Sequence, residues 1–272
     1  MKWAFAVLVH VSVQVSVHVL LAIWPATIAA AQPLSVYSEF ARIDPQGNVV
    51  APETPREIIS PALIRNGFTS FQVVVQVPMN TPYMLRIGQN PDNAAKVTLY
   101  RFAERRVDPI AEPVNGDATQ IFWMDVWIDK DAPVRRIKVE PQLFVNGDWV
   151  IYPMEMRVRE QIVPDAPTTA GSAVTASPFD LLRGYLCDGK HTESRPGNAV
   201  IEDGRAATAD DLHVRNARQD VALASALPQA DREELRKRMG GCNARVPENP
   251  EFYLRLRDYF VTPLWMKVAH GN

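Results

Sequence analysis

The dipeptide Asn146-Gly147 most constrains how this chain can fold. Asn-Gly favours a two-residue type I′ turn, because both central positions of that turn need positive φ. It lies between two runs of alternating residues and therefore predicts a β-hairpin. The predicted register places three apolar pairs on one face: Leu143 with Val150, Val139 with Met154, and Ile137 with Met156. The opposite face receives Gln142 with Ile151, Lys138 with Glu155, and Arg136 with Arg157. The register set by the turn agrees with the alternation of apolar and polar residues, and this agreement predicts a half-buried antiparallel sheet.

Short segments of strand character continue this pattern on the N-terminal side of the hairpin. They are separated by turn residues, and the clearest of them are 68–77, 96–102 and 121–129. About eight short strands at regular spacing are typical of a sandwich rather than of parallel βαβ units. The sequence therefore predicts a mainly β protein, an antiparallel immunoglobulin-like β-sandwich followed by a small α-helical C-terminal region. Pro141 lacks a backbone donor, so we expect a bulge or an early end of the hairpin ladder there.

Changes in composition divide the chain into four parts. We expect a signal peptide over 1–31, a β-sandwich domain over 32–160, a linker over 161–177 and an α-helical region over 178–272. The linker is rich in Pro, Ala, Thr, Gly and Ser, a composition that does not form a packed core.

The predicted signal peptide has a positive start, a long apolar run and a small-residue end. Lys2 precedes the apolar run 3–24, and Ala29 and Ala31 form an A-x-A cleavage pattern before Gln32. The alternative is an uncleaved membrane anchor, because the run is long enough to span a bilayer. Both interpretations place the rest of the chain outside the cytoplasm, and we expect a secreted or periplasmic protein. A membrane is expected as a partner only if the segment is retained.

The helical region is predicted from caps and from a change to helical periodicity. Ser177-Pro178 is an N-cap followed by proline, Thr208 is a second N-cap, and Gly240-Gly241 is a C-terminal stop signal. Asn249-Pro250 is predicted to begin a fourth helix.

Cys187 and Cys242 are the only two cysteines of the chain. An oxidising compartment favours a disulfide between them. The alternative is a zinc site in which His191 and His213 join the two cysteines, but the spacing is not that of a compact zinc motif. We favour the disulfide and expect no metal and no cofactor.

The predicted sandwich contains no histidine and no cysteine. A Ser-His-Asp or Cys-His arrangement therefore cannot be assembled within it. Asp125, Glu140 and Glu155 lie in central strands, but paired or solvated carboxylates explain them without catalysis, and we assign no catalytic residue. A formal net charge of −2 argues against nucleic acid as the main partner.

Trp123, Asp125 and Trp127 share one face of the segment 121–129, and these residues form the candidate binding site. Two indole rings beside a carboxylate offer a platform for a sugar ring, since aromatic faces are large and apolar and Asp accepts hydroxyl hydrogens. The favoured alternative is a central strand whose second face is covered by a loop or by the helical tail.

Two fragments carry a resemblance to a known kind of domain. The segment 65–75 resembles an opening strand of the β-sandwich that precedes the catalytic barrel in some secreted bacterial glycoside hydrolases. The segment 122–133 is similar to a strand and turn near the end of that domain. The glycine-rich turn that follows Ala-Pro in that family is replaced here by Val134-Arg135-Arg136. The resemblance implies an accessory sandwich at most, and no catalytic residue carries over.

These observations favour an exported, non-catalytic binding or scaffold protein of the bacterial cell envelope. Its partner is expected to be a protein or a glycan. The alternative is a carbohydrate-binding or carbohydrate-acting accessory protein that uses the candidate site on 121–129. A hydrolase with a site around His191 and His213 is the least favoured hypothesis.

Overall fold

The fold is described from a computed structural model, which covers residues 32–50, 58–103, 106–163, 178–188, 209–225, 228–238 and 240–243. The predicted signal peptide, most of the predicted linker and the helix predicted after Asn249 lie outside these residues. The described residues belong to one compact unit.

Eleven strands of three to ten residues occur in the described residues. In chain order they are β1 Leu34–Ser38, β2 Ala62–Arg65, β3 Gly67–Val75, β4 Tyr83–Asn90, β5 Lys96–Ala103, β6 Arg106–Ile110, β7 Val114–Gly116, β8 Gln120–Ile128, β9 Arg136–Val145, β10 Asp148–Ile151 and β11 Glu155–Ile162. The first sheet has the order β1-β3-β8-β5-β6. The second has the order β2-β11-β9-β4-β7, with β10 paired to β9. Pairing is antiparallel except between β2 and β11. The predicted mainly β sandwich is confirmed.

The hairpin has the predicted register. Asn146 and Gly147 have φ of 54° and 89°, the positive values that a type I′ turn requires. Leu143 lies opposite Val150 near the turn, and β9 pairs with β11 in the predicted register further along. The ladder is interrupted between β10 and β11, opposite Pro141, whose carbonyl oxygen accepts a hydrogen bond of 2.9 Å from the Tyr152 amide. The expected irregularity near Pro141 is therefore present.

The main core fills the space between the two sheets. Alternate residues of β3, β8 and β9 supply much of it: Phe71, Val73, Val75, Phe122, Met124, Val126, Ile128, Ile137, Val139 and Leu143. Each such side chain contributes about 1.5–3 kcal/mol when it is fully buried. Because side chains alternate between faces, a slip of one residue would turn this whole set towards solvent. The period-two pattern and its burial thus fix the register together.

One Asn-Gly dipeptide does not form a turn. Asn-Gly is typical of hairpin turns, yet Asn115 and Gly116 lie in β7, which pairs with β4. A side chain at Gly116 would meet the Tyr83 ring at 2.4 Å, so close packing against Tyr83 explains this glycine.

Three helices occur in the described residues: α1 Pro178–Asp188, α2 Ala209–Ser225 and α3 Gln229–Arg238. The first residues of α1 and α2 follow the predicted N-caps Ser177 and Thr208. Gly240 and Gly241 both have positive φ. The Gly240 amide donates to the Lys237 carbonyl and the Gly241 amide to the Arg236 carbonyl, both at a distance of 3.0 Å, as expected of a glycine C-cap. In the described part of the chain, no helix has both the length and the apolar character to cross a bilayer.

Candidate functional site

The outer face of the first sheet is covered by α2. Leu212 of that helix packs into a small apolar cluster with Tyr100, Val107 and Trp123. Trp123 and Asp125 are each 1% exposed, whereas Trp127 is partly buried and lies 6.4 Å from the Phe68 ring. The structure therefore brings the three predicted site residues onto one face, as the alternation of β8 requires, with two of them beneath the helix. A sugar would reach Trp123 and Asp125 only after α2 moved away, and their binding role stays a prediction.

Asp125 is the centre of a buried polar cluster. Its Oδ1 accepts hydrogen bonds from the Ser70 hydroxyl at 2.6 Å and from the Trp123 indole at 2.7 Å. The strand register explains these contacts, because Ser70 lies directly opposite Asp125 and Trp123 lies two residues before it on the same face. The indole that was expected to bind a sugar instead donates to the neighbouring carboxylate.

Arg215 of α2 completes the coordination of Asp125. Its two terminal nitrogens donate to Oδ2 at 2.8 Å and to Oδ1 at 2.9 Å, which is a bidentate pair. The guanidinium carbon also lies 4.0 Å from the centre of the Phe68 ring, so a cation–π contact supports the same geometry. Both partners are buried, and loss of one partner of a buried ion pair costs about 3–5 kcal/mol. This pair therefore fixes α2 on the sandwich.

Two further residues of α2 bind the sheet through their amide groups. Asn216 donates to the Ser70 hydroxyl at 2.8 Å and to the Glu39 carboxylate at 2.7 Å. Gln219 accepts from the Phe68 amide at 2.7 Å and donates to the Phe68 carbonyl at 3.1 Å, so it satisfies both backbone groups of that residue. Buried polar groups without partners cost free energy, and these amides supply partners where the helix meets the sheet.

Gly67 permits the close approach of α2 to β3. A side chain at this position would meet Gln219 Oε1 at 3.1 Å, and carbon atoms of Ile64 and Val163 at 2.9 Å. Gln219 holds Phe68, the next residue of the strand, so crowding at Gly67 would disturb that contact directly. The glycine is explained by packing here rather than by turn formation.

His213 lies at the edge of the buried cluster. Its Nδ1 is 3.3 Å from a carboxylate oxygen of Glu39, and its ring packs between Phe40 and Trp123, with centroid distances of 5.4 and 4.9 Å. Tyr100 lies beside the same cluster, where burial raises the pKa of its phenol far above the usual range and the Asp125 charge raises it further. The cluster thus joins aromatic rings to charged groups in a water-poor space.

Cys187 and Cys242 form a disulfide, as predicted. The bond uses both thiols, so the alternative zinc set with His191 and His213 loses its two sulfur ligands. His191 lies outside the described residues. Within the described ranges, no group of three or more His, Cys, Asp and Glu side chains is placed to hold a metal ion.

Sequence patterns did not identify the residues of α2 that form the cluster. Leu212, Arg215, Asn216 and Gln219 recur at helical spacing, so they occupy one face of α2. A face with three polar residues of four is typical of solvent exposure, and only the burial of Trp123 and Asp125 shows that it is an internal surface. Chemically the arrangement neutralises and immobilises a carboxylate, which makes it an internal tie between helix and sheet.

Comparison with known proteins gives a distant structural likeness. No protein-family model matches the chain, and no curated protein matches it. A family 123 glycoside hydrolase from Clostridium perfringens, described for glycolipid glycan hydrolysis, is similar with a TM-score of 0.35 and 12% identity over 56% of this chain and 31% of that enzyme. A GH5 xyloglucanase from Bacteroides ovatus, in complex with a heptasaccharide, has a TM-score of 0.25 and 11% identity over 45% of this chain and 22% of that enzyme. The chain spans less than a third of either enzyme and is distantly similar to parts of these bacterial glycoside hydrolases.

Proposed function

We propose that the chain is an exported, non-catalytic binding or scaffold protein of the bacterial cell envelope. The observation that carries this proposal is the state of Asp125. Its carboxylate accepts four hydrogen bonds from Ser70, Trp123 and Arg215 and is 1% exposed. A general acid or base must reach the proton that it transfers. Asp125 is engaged in holding α2, which is the task of a structural group.

The other two carboxylates that the sequence singles out are also paired. Glu155 lies 2.5 Å from Arg136, and Glu140 lies 3.5 Å from Lys138. Both pairs are at the surface of the second sheet. Exposed pairs of this kind contribute at most about 1 kcal/mol and are common on protein surfaces. They favour the interpretation of these side chains as surface groups of a binding module.

The proposed location rests on the N-terminal sequence and on the disulfide. The apolar run 3–24 with its A-x-A end is typical of an export signal. Disulfides persist mainly in oxidising compartments, and Cys187 and Cys242 are joined. A secreted or periplasmic protein fits both observations, with a protein or a glycan of the envelope as its partner.

The relation to glycoside hydrolases belongs to the same proposal. We propose that the sandwich corresponds to an accessory sandwich like the one that precedes the barrel in some of these enzymes, on the strength of the fragments 65–75 and 122–133. On this view the chain contributes binding rather than bond cleavage. Carbohydrate binding is the alternative function, and two neighbouring exposed aromatic side chains on the second sheet, Phe144 and Trp149, favour it.

A turnover assay on the purified mature chain tests the proposal. Chromogenic glycosides and esters are incubated with the wild type and with the variants Glu140→Gln and Glu155→Gln. We expect no rate above that of buffer for any of the three proteins. A rate that is proportional to protein concentration, and that falls about tenfold or more in either variant, would contradict a non-catalytic role. Mass spectrometry of the exported protein should show a chain that begins at Gln32.

A further inference from the structure

The outer face of the second sheet carries an exposed aromatic surface. Two neighbouring rows of side chains run across β4, β9 and β10 and define what we call the aromatic surface: Met84, Phe144 and Trp149 in one row, and Arg86, Gln142 and Ile151 in the next. The residues between them along each strand, such as Leu85 and Leu143, point inward and belong to the main core. Strand alternation therefore directs these six side chains outward.

The apolar members of the aromatic surface are accessible to solvent. Phe144, Trp149 and Ile151 are 37%, 42% and 49% exposed, and the Phe144 and Trp149 rings lie 5.3 Å apart. The outward face of an antiparallel sheet is ordinarily polar. A contiguous exposed patch of large apolar side chains marks a binding surface more often than a chance arrangement does.

Arg86 places a positive charge on this apolar surface. Its guanidinium carbon lies 4.3 Å from the centre of the Trp149 ring, and its Nε donates to the Gln142 side-chain oxygen at 2.9 Å. Among the described residues no carboxylate lies within ion-pair distance of Arg86. The stacked guanidinium is therefore held in place and keeps its terminal N–H groups for an incoming anion. The N–H groups of a guanidinium can bind the two oxygens of one carboxylate in two parallel hydrogen bonds.

Gly88 shows that this geometry depends on close packing around Gln142. A side chain at position 88 would meet the Gln142 amide group, so any larger residue there would require the end of the Gln142 side chain to move from its present position over β4. Gln142 in turn holds Arg86, and Arg86 stacks on Trp149. Arg86 is thus positioned through a chain of contacts that begins at a glycine.

The charge at the outward positions of β4, β9 and β11 favours an anionic ligand. Outward positions of β4, β9 and β11 carry five cations, namely Arg86, Arg136, Lys138, Arg157 and Arg159. They carry only two carboxylates, Glu140 and Glu155. Five minus two leaves a local charge of +3 on a chain whose formal net charge is −2. A local charge opposite to the overall charge steers anions to this face.

We infer that the aromatic surface binds an acidic polysaccharide, with a sugar ring stacked on Trp149 and Phe144 and a uronate carboxylate on Arg86. The inference deepens the proposed binding function and rests on it. Aromatic faces suit the apolar faces of pyranose rings, and one positioned guanidinium suits one carboxylate per sugar. A single-stranded nucleic acid also uses aromatic rings and cations, but it needs a groove that follows closely spaced phosphates. Here Arg86 is the one positioned guanidinium, and Arg136 and Lys138 on the same face are paired with carboxylates. This arrangement fits the widely spaced carboxylates of an acidic polysaccharide better than the closely spaced phosphates of a nucleic acid.

Binding to polygalacturonate and alginate, measured by affinity gel electrophoresis and titration calorimetry, tests the inference. Fully methyl-esterified polygalacturonate is the matched ligand control, because it keeps the sugar chain and removes the charge. We expect wild-type protein to bind at least one acidic polymer and to bind the ester at least about tenfold more weakly. Arg86→Gln and Trp149→Ala should each weaken binding by about tenfold or more, and Gly88→Ala by less.

Arg136→Gln is the matched protein control, since Arg136 lies on the same face but is already paired with Glu155. Its effect should stay within about threefold. Equal losses for Arg86→Gln and Arg136→Gln would overturn the assignment of Arg86, as would equal affinity for the acid and its ester. Folded wild type that binds neither acidic polymer would overturn the inference while leaving a non-catalytic role intact.

Two additional readouts separate other outcomes. Tighter binding of single-stranded DNA than of either acidic glycan, lost in the same variants, would overturn the glycan assignment in favour of nucleic acid. Size analysis of the glycan after incubation checks the proposed function independently. Shortened chains would contradict non-catalytic binding, whereas the variant pattern at Arg86 and Trp149 would still support this surface as the binding site.

Discussion

The two outer faces of the sandwich use similar residues for different ends. On the first sheet, Trp123 lies beside Asp125, and both are covered by α2 and bound to one another. On the second sheet, Trp149 lies beneath Arg86, and both are exposed. An indole beside a charged group is therefore not by itself a binding site. The surroundings decide, because a charge whose partners are all supplied by the protein is structural, and one that keeps open donors can bind a ligand.

The comparison also separates two energetic regimes. Under α2 the charges are nearly dry, so each hydrogen bond has a large effect and an unpaired group is costly. On the second sheet, water screens the charges and each contact contributes little to folding. Stability should therefore depend on the first face and ligand binding on the second.

The pair Trp123→Ala and Trp149→Ala should show the largest contrast. Trp123→Ala removes a buried ring and one donor to Asp125, and we expect a loss of about 3–5 kcal/mol in the free energy of unfolding. Trp149→Ala removes an exposed ring and its contact with Arg86, so a loss of about 1 kcal/mol or less is expected. Urea unfolding followed by circular dichroism measures both. Similar losses in the two variants would contradict the distinction between the faces.

Arg215→Met tests the tie between α2 and the sheet. The substitution leaves the buried Asp125 carboxylate without its cation, and we expect a destabilisation of about 3–5 kcal/mol. Arg236→Met is the control, because Arg236 pairs with Glu233 at the surface of α3 and its loss should cost about 1 kcal/mol or less. Chemical denaturation with both variants measures the difference. A loss below about 1 kcal/mol in Arg215→Met would show that the buried pair does not secure the helix.

The double variant Cys187→Ser, Cys242→Ser should show the next largest loss in the free energy of unfolding. The bond closes a sequence separation of 55 residues, which corresponds to about 4 kcal/mol at most in the chain-entropy model. Because α2 is also held by Arg215, we expect helix and sheet signals to be lost in one transition at a lower denaturant concentration. Far-UV circular dichroism and tryptophan fluorescence follow the two signals separately. Loss of helix while the sheet persists would mean that the disulfide alone retains the helical region.

The sandwich and its register were predictable because they follow from local rules. The Asn146-Gly147 turn has few conformations available, and alternation on β8 and β9 distinguishes an inner from an outer face. Helix starts were predictable for the same reason, since caps are local signals. Favouring a covered second face for β8 was justified by its apolar content, and α2 does lie over that face.

The chemistry of both faces could not be predicted in the same way. Arg215 and Asp125 are 90 residues apart in sequence, and nothing near Arg215 indicates a buried partner. Arg86 and Trp149 come from β4 and β10, which meet through β9 only after the sheet has formed. Gly88 resembles any strand glycine until Gln142 is seen above it. Contacts of this kind depend on strand order, and one sequence does not encode strand order in a local pattern.

The ionisation of Tyr100 should have the smallest effect on folding stability at neutral pH and a clear effect at alkaline pH. Burial, with the neighbouring Asp125 charge, raises the pKa of its phenol above the ordinary value of 10.0. A group whose pKa is higher in the folded state favours folding fully below the unfolded value and loses that contribution as the pH rises towards the folded value. Wild-type protein should therefore lose stability progressively above pH 10. Below that pH, both states carry the neutral phenol and Tyr100 adds no slope.

Tyr100→Phe removes the titrating group and keeps the ring, so part of the alkaline decline should disappear. Tyr83 is buried on the inner side of β4, and its pKa is also raised by burial, which makes Tyr83→Phe the matched variant from the other sheet. We expect the larger recovery in Tyr100→Phe, because after burial the strongest effect on its pKa is a further rise from Asp125, whereas at Tyr83 it is a fall caused by Arg101. Unfolding in urea at pH 8, 9, 10 and 11 measures the slopes. Parallel curves for wild type and Tyr100→Phe would show that water reaches the space under α2, and the contrast between a dry and a wet face would then be lost.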